Sequence, residues 1–340
     1  MANFPLLADP DNYRACEWDL LTDPEGCSYW MRLFRQHFET FRRSALESGA
    51  TEAQCGVLRQ VLDDCLDELE ARLRGDGAPL ERLDILTLTG ARDTALRAAG
   101  IPDAFKAIKV RETRAALALL PQRLRTLDEQ PPAERPAELA RGIFAGNIFD
   151  LGAVEVAQGY LDGASFGFEQ AIEKVKPRPW LVDDADRLRF RGWKRAVVFV
   201  DNAGPDVVLG MLPLVRELLR EGAQVLLAAN TTPALNDITF PELTMLLAEV
   251  ADLDQVLGEA FLGERLVPVA TGTGDPLIDL TQVSDSFAQA TAGADLVVLE
   301  GMGRALESNY TAAFTCATWH LGTIKDPFVA RHFQGELYDC

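Results

Sequence analysis

The stretch FVDNAGPDVVLG, Phe199 to Gly210, decides how this chain is read. The apolar run Ala196 to Val200 stops abruptly on Asp201 and Asn202, and a glycine turn leads into a second apolar run. A buried strand, a turn and a covering helix would look like this, and repeated they make a parallel sheet. Asp201 and Asn202 suit either of two roles. They are common turn residues, and they are also oxygen donors placed at the end of a strand.

Working outward, short apolar runs recur at 224–229, 265–270 and 295–299, with helix-like segments between them. None alternates, so each strand is expected to be buried on both faces. Pro213 falls inside the first intervening helix, expected to end near Gly222, and the next opens on the capping-box spacing Thr239-Phe240-Pro241-Glu242. A fifth strand is expected over His320 to Ile324. Before residue 190 no alternating strand is visible. Ser28 to Ser44, Glu52 to Leu73 and Ala104 to Leu127 instead repeat apolar residues at three and four, as helices do. Pro131, Pro132 and Pro136 interrupt that pattern, and a further helix is expected from about Ala137 to Gln158. The predicted organisation is a helical N-terminal region (1–175), a polar, proline-containing connection (176–195) and a doubly wound α/β domain (196–340).

The net charge of −19 argues against an electrostatic hold on nucleic acid or an anionic membrane. It leaves an anionic substrate open, because a metal ion and a few local cations override the global field. The six cysteines form no C-x-x-C pair and the three histidines stand apart, so a zinc ribbon is not expected. The N-terminus lacks a basic segment followed by an apolar one, and no apolar run approaches the roughly 20 residues of a membrane span. These features fit a cytoplasmic protein with free thiols. Oligomeric state is not legible.

Ligands of open parallel sheets collect outside the carboxyl ends of the strands. The expected strands deliver there Asp201-Asn202, Asn230 with the following Asn236-Asp237, Thr271 to Asp275, Glu300-Gly301-Met302-Gly303-Arg304, and Lys325-Asp326. Taken singly, Asn236-Asp237 suits a helix cap, the glycines suit turns and Lys325 suits a solvated surface charge. Together they have the composition of a hard-cation site with an anion-binding rim. No GxxxxGK[ST] string is present, and Gly301 to Leu306 ends on a leucine where a dinucleotide fingerprint needs a small residue. Asp201 lacks the D-x-D partner of an aspartyl-phosphate enzyme, which makes it a ligand rather than a nucleophile. In the helical region, Asn147 and Asp150 lie three apart on one face of an otherwise apolar helix. They fit a tightly packed helix and a pocket-lining one equally.

As a set, RGIFAGNIFDLGA, FVDNAGPDVVLGMLPLVRELLREGAQVLLAAN, PALNDIT, DLVVLEGMGRALESNY and GELYDC resemble the metal-dependent damage-control phosphatase family, formerly a domain of unknown function. The nearest subgroup contains stand-alone plant proteins and the C-terminal domain of type-four pantothenate kinases. FPLLADP and PRPWLVDD extend the resemblance over nearly the whole chain. It implies a Rossmann-like three-layer α/β/α domain after a helical region. It also implies a divalent metal (Mn, Co, Ni or Mg) and hydrolysis of phosphate monoesters such as 4′-phosphopantetheine and its oxidised derivatives, in coenzyme A metabolism. The family's metal ligands fall on Asp201, Asn202 and Asp237. Its substrate-binding segment falls on Glu300 to Arg304, including Gly301, its phosphate-side lysine on Lys325, and the asparagine of its N-terminal motif on Asn147. Asn230 and Asp150 are expected beside the substrate. Arg304 is expected either to bind a substrate anion or to pair with Glu307. Relatives continue past GELYDC into a last apolar strand, whereas this sequence stops at Cys340. A module that binds phosphometabolites without turning them over is the alternative expectation. A nucleotide-dependent methyltransferase or oxidoreductase is a third, which the missing fingerprint disfavours.

Overall fold

A computed structural model describes residues 1–148 and 168–340 of the chain. The helical region comprises α1 (Pro24–Gln36), α2 (Phe38–Glu47), α3 (Glu52–Leu73), α4 (Ile85–Ala98), α5 (Lys106–Glu129), α6 (Arg135–Ile148) and α7 (Phe168–Lys174). The single helix expected over Ser28 to Ser44 is two. The chain bends at His37, whose N–H bonds back to the Leu33 carbonyl, and the bend lets Phe34, Phe38 and Phe41 reach one shared core. The expected continuation of α6 to Gln158, with Asp150, lies outside the described residues.

From Arg195 onward strands and helices alternate: β1 (Arg195–Phe199), α8 (Leu212–Arg220), β2 (Gln224–Ala229), α9 (Phe240–Val250), α10 (Gln255–Leu262), β3 (Leu266–Ala270), α11 (Asp285–Thr291), β4 (Leu296–Glu300), β5 (Ala317–Leu321) and α12 (Pro327–His332). The sheet is parallel throughout, in the order β3-β2-β1-β4-β5. The chain therefore winds outward from β1 to β3, then crosses back to place β4 on the other side of β1. The gap between β1 and β4 is the topological switch point, where such sheets bind ligands.

β5 begins three residues earlier than expected. Its pairing with β4 runs from Leu296↔Ala317 to Glu300↔Leu321, and Thr318, Trp319 and His320 are only half-buried, so no apolar run marks the strand. Pro213 is the second residue of α8 and follows directly on the π-helical segment Asp206–Met211, so its missing N–H falls where the hydrogen-bond ladder changes from π to α.

Both faces of the sheet are covered, which explains the absence of alternation. Ala196, Val198 and Val200 pack towards α5, α6 and α8, while Val197 and Phe199 pack towards α11 and the N-terminal residues Phe4, Leu6 and Leu7. A separate core holds α1 to α5 together and reaches Leu277, Ile324 and Val329 beside the strand ends. The helical region is thereby fixed over the carboxyl edge of the sheet.

Candidate active site

Asp201 lies two residues beyond β1, and its backbone N–H donates to Glu300 Oε2, on the last residue of the neighbouring β4, at 3.0 Å. The loop after β2 folds back along the loop after β1. Ala203 N–H bonds to the Asn236 carbonyl at 2.9 Å and Ile238 N–H to the Asp201 carbonyl at 3.0 Å. That pairing carries Asp237 to Asn202, with which it forms an isolated bridge. Thr239, not Asn236 or Asp237, caps α9, its N–H held by Glu242 at 2.9 Å, so Asp237 is not spent on capping. All four residues are buried: Asp201 5 %, Asn202 2 %, Asp237 1 % and Glu300 0 % exposed.

α6 delivers Asn147 from the opposite side. Gly146 permits this, because a Cβ there would lie 2.8 Å from the Asp206 Cα. Asn147 Nδ2 stands 3.2 Å from Asp201 Oδ2, 3.2 Å from Asp206 Oδ2 and 3.0 Å from Glu300 Oε1. An amide nitrogen has two hydrogens, so it cannot serve three carboxylate oxygens fully at once. Asn202 Nδ2 adds bonds of 3.2 Å to Asp201 Oδ2 and 2.8 Å to Asp206 Oδ2. Burial, then repulsion from Asp201, pushes the Asp206 carboxyl up to about 7. Burial also holds Glu300 well above the usual range, with Asp206 and Asp201 adding to it.

Arg304, 2 % exposed, lies on the other side of Asp201. Its guanidinium donates from one nitrogen to Asp201 Oδ1 and from the other to Asp237 Oδ2, the latter at 2.6 Å. Of the two partners the sequence leaves open for Arg304, a substrate anion and Glu307, the guanidinium takes neither here and bridges the two carboxylates. Burial works against the arginine's charge, and Asp237 and Asp201 outweigh it, raising its pKa. Asn230 Nδ2 holds Asp237 Oδ2 at 3.0 Å and the Asp275 carbonyl at 3.0 Å. Gly301 has φ +102° and its missing Cβ would collide with the Asp201 carboxylate, so both conformation and space require glycine. Lys325 is buried at 7 %, not solvated, and its charge bears on Asp206 and Glu300.

The sequence reading passed over Asp206. It stands five residues after Asp201 in the same motif, but an acid in a helix's first turn is common enough to hide a site residue. The carboxylate oxygens of Asp201, Asp206 and Glu300 come within 4.8 Å of one another and could hold a metal ion. The residues fit a hard divalent cation by two measures. Asp206 Oδ1 is buried without a hydrogen-bond partner. Burial and mutual repulsion push Asp206 and Glu300 towards the neutral acid, and one divalent ion among these carboxylates would offset that repulsion.

A cleft opens from these strand ends towards the helical region. Its walls include Asp201, Asp237, Gly303 and Lys325 on one side and Trp30, Phe34, Phe41 and Arg92 on the other.

A family model, the damage-control phosphatase ARMT1-like domain, matches residues 33–340. The chain belongs to this family. It is 38% identical over 360 residues to damage-control phosphatase At2g17340 of Arabidopsis thaliana, covering 100% of this chain and 96% of that protein. It is 36% identical to pantothenate kinase 2 of the same plant and 31% identical to the 4′-phosphopantetheine phosphatase of Mus musculus, over 99% of this chain in each case. It spans only 41% and 48% of those two longer proteins. A solved DUF89 family protein from Pyrococcus horikoshii shares the fold, with a TM-score of 0.60 at 17% identity, covering 91% of this chain and 95% of that one. The family bears out the resemblance read from the motifs, and the parallel sheet bears out the α/β fold. No helix among the described residues is long and apolar enough to cross a membrane.

Proposed function

We propose that this damage-control phosphatase hydrolyses a phosphate monoester of the 4′-phosphopantetheine type, including its oxidised forms, with a divalent cation (Mn, Co, Ni or Mg). The observation that carries the reading is the buried cluster of mutually repelling carboxylates at the switch point, beside a cleft with one polar and one aromatic wall. The 4′-phosphopantetheine phosphatase among the relatives supports the choice of substrate.

Asp201 would hold the cation together with Asn202 and Asp237, and Asp206 and Glu300 supply further carboxylate oxygens beside it. The chemistry such an ion supplies is Lewis-acid polarisation of a phosphoryl oxygen and easier ionisation of a bound water. Lys325 offsets charge on the phosphoryl oxygens, backbone N–H groups near Gly301 to Gly303 add to that, and Arg304 holds Asp201 and Asp237 in place. Asn147 and Asn230 orient the carboxylates and, through them, the phosphate. Asp201 is not placed as a nucleophile. Its motif lacks the D-x-D partner of an aspartyl-phosphate enzyme, so no covalent enzyme intermediate is invoked. Phosphate release from a panel of phosphopantetheine, sugar phosphates and nucleotides, with each metal in turn, tests the reading. Asp201→Ala should abolish the metal-dependent release, and full activity in that variant would overturn the assignment.

A further inference from the structure

We propose that Lys109 is a positioning residue for the metal site: from the helical region it fixes the peptide unit that sets Asp237 against Asp201. The inference rests on the divalent-cation reading above and adds to it a residue that touches neither metal nor substrate.

A lysine is seldom buried unless its charge is matched. Lys109, at the start of α5, is only 3 % exposed. Its ammonium has three hydrogens, and three groups receive them. Asp103 Oδ2, from the loop before α5, lies at 2.8 Å, Glu242 Oε1 of α9 at 2.8 Å and the backbone carbonyl of Asp237 at 3.5 Å. The two carboxylates account for the burial of the charge. They do not account for the third bond, which joins the helical region to the loop that carries Asp237.

The peptide unit between Asp237 and Ile238 is thereby held at both ends. Its carbonyl accepts from Lys109, and its N–H donates to the Asp201 carbonyl at 3.0 Å. The preceding peptide unit is held as well, because Asp237 N–H donates to the Ala234 carbonyl at 3.0 Å. With both flanking planes fixed, the Cα–Cβ bond of Asp237 has one direction. Glu242 tightens the same loop: its Oε2 accepts from Thr239 N–H at 2.9 Å and from the Thr239 hydroxyl at 2.8 Å, and also takes the lysine at 3.0 Å. Without the ammonium, only the Asp201 bond orients the Asp237–Ile238 plane, and the spacing of the two carboxylates loosens. Groups that orient a metal ligand from behind typically carry about 10- to 100-fold of the metal affinity.

Calorimetric titration of Mn²⁺ into the metal-stripped protein, with melting in chelator as the measure of folding, tests this on wild type, Lys109→Met, Glu242→Gln and the double variant. Lys109→Met should weaken Mn²⁺ binding about 10-fold or more, and the Mn²⁺ concentration for half-maximal phosphate release should rise by the same factor. Glutamine keeps the oxygen that caps Thr239, so Glu242→Gln should bind Mn²⁺ as wild type does. The double variant removes one of the carboxylates that Lys109→Met leaves without a cation. It should regain melting temperature without regaining affinity, and it carries the test if Lys109→Met alone does not fold. Affinity that returns with the melting temperature in the double variant overturns the proposal, because the lysine then acts only through its ion pairs. Binding within about twofold of wild type in Lys109→Met, or an equal loss in Glu242→Gln, overturns it too. If wild type binds none of Mn²⁺, Co²⁺, Ni²⁺ and Mg²⁺, the cation reading itself falls and takes this role of Lys109 with it.

Discussion

Replacing Arg304 by methionine keeps much of the side-chain volume but removes the buried cation that joins Asp201 to Asp237. Removing one partner of a buried ion pair costs about 3–5 kcal/mol, because the other partner is left charged and dry. Here one cation serves two carboxylates whose side chains are 6% and 2% exposed, so the upper half of that range applies. At roughly 2 °C per kcal/mol for a chain of this size, the variant should melt about 8–10 °C below wild type in a chelating buffer. A saturating divalent cation should recover more of the melting temperature in the variant than in wild type, since the cation then relieves a repulsion that Arg304 otherwise offsets. Circular-dichroism melting in chelator and in Mn²⁺ reads both effects. A variant that melts within about 1 °C of wild type in chelator would refute the view that Arg304 balances these carboxylates.

Two further outcomes follow from the packing and the charges. Gly301→Ala forces a side chain into φ +102° and onto the Asp201 carboxylate. It should lower phosphate release at least ~100-fold and cost on the order of 2 kcal/mol in denaturant unfolding, and near-normal activity would sink the geometry. Burial pushes the Asp93 carboxyl up from 3.8 to about 6. Folding raises this group's pKa, so its contribution to stability is complete below about pH 4 and is lost as the pH rises through 6, by up to about 3 kcal/mol. Asp93→Asn should therefore flatten the pH dependence of melting over that interval and melt higher than wild type at pH 7. An unchanged profile would show that the carboxyl titrates normally.

Much of the fold was legible because it is written in local pattern. β1 to β4 showed themselves as short unalternating apolar runs, and the Thr239 capping box marked the start of α9. β5 starts three residues before its expected place because an edge strand built of Thr318, Trp319 and His320 carries no apolar signature. The bend at His37 has no mark in the sequence because the apolar repeat continues through it. In the site, the census of strand ends collected Asp201, Asn202, Asp237, Asn230, Glu300, Arg304 and Lys325, and the structure brings them together. Asp206 escaped because a first-turn acid needs no further explanation in one dimension. Arg92 escaped because nothing in the spacing of α4 ties it to a sheet more than a hundred residues later.

Residue order alone was enough for the parallel sheet, for the polar rim along its carboxyl edge and, through a set of ordered motifs, for the family. Such features depend on hydrophobic periodicity and on turn chemistry, which act over a few residues. The pairing of Arg304 with Asp201 and Asp237, the convergence of Asp206 with Glu300 under Asn147, and the closing of the cleft by the helical region all depend on which distant atoms share a dry volume. Charge balance in a buried site is a property of that volume, and only the folded chain defines it.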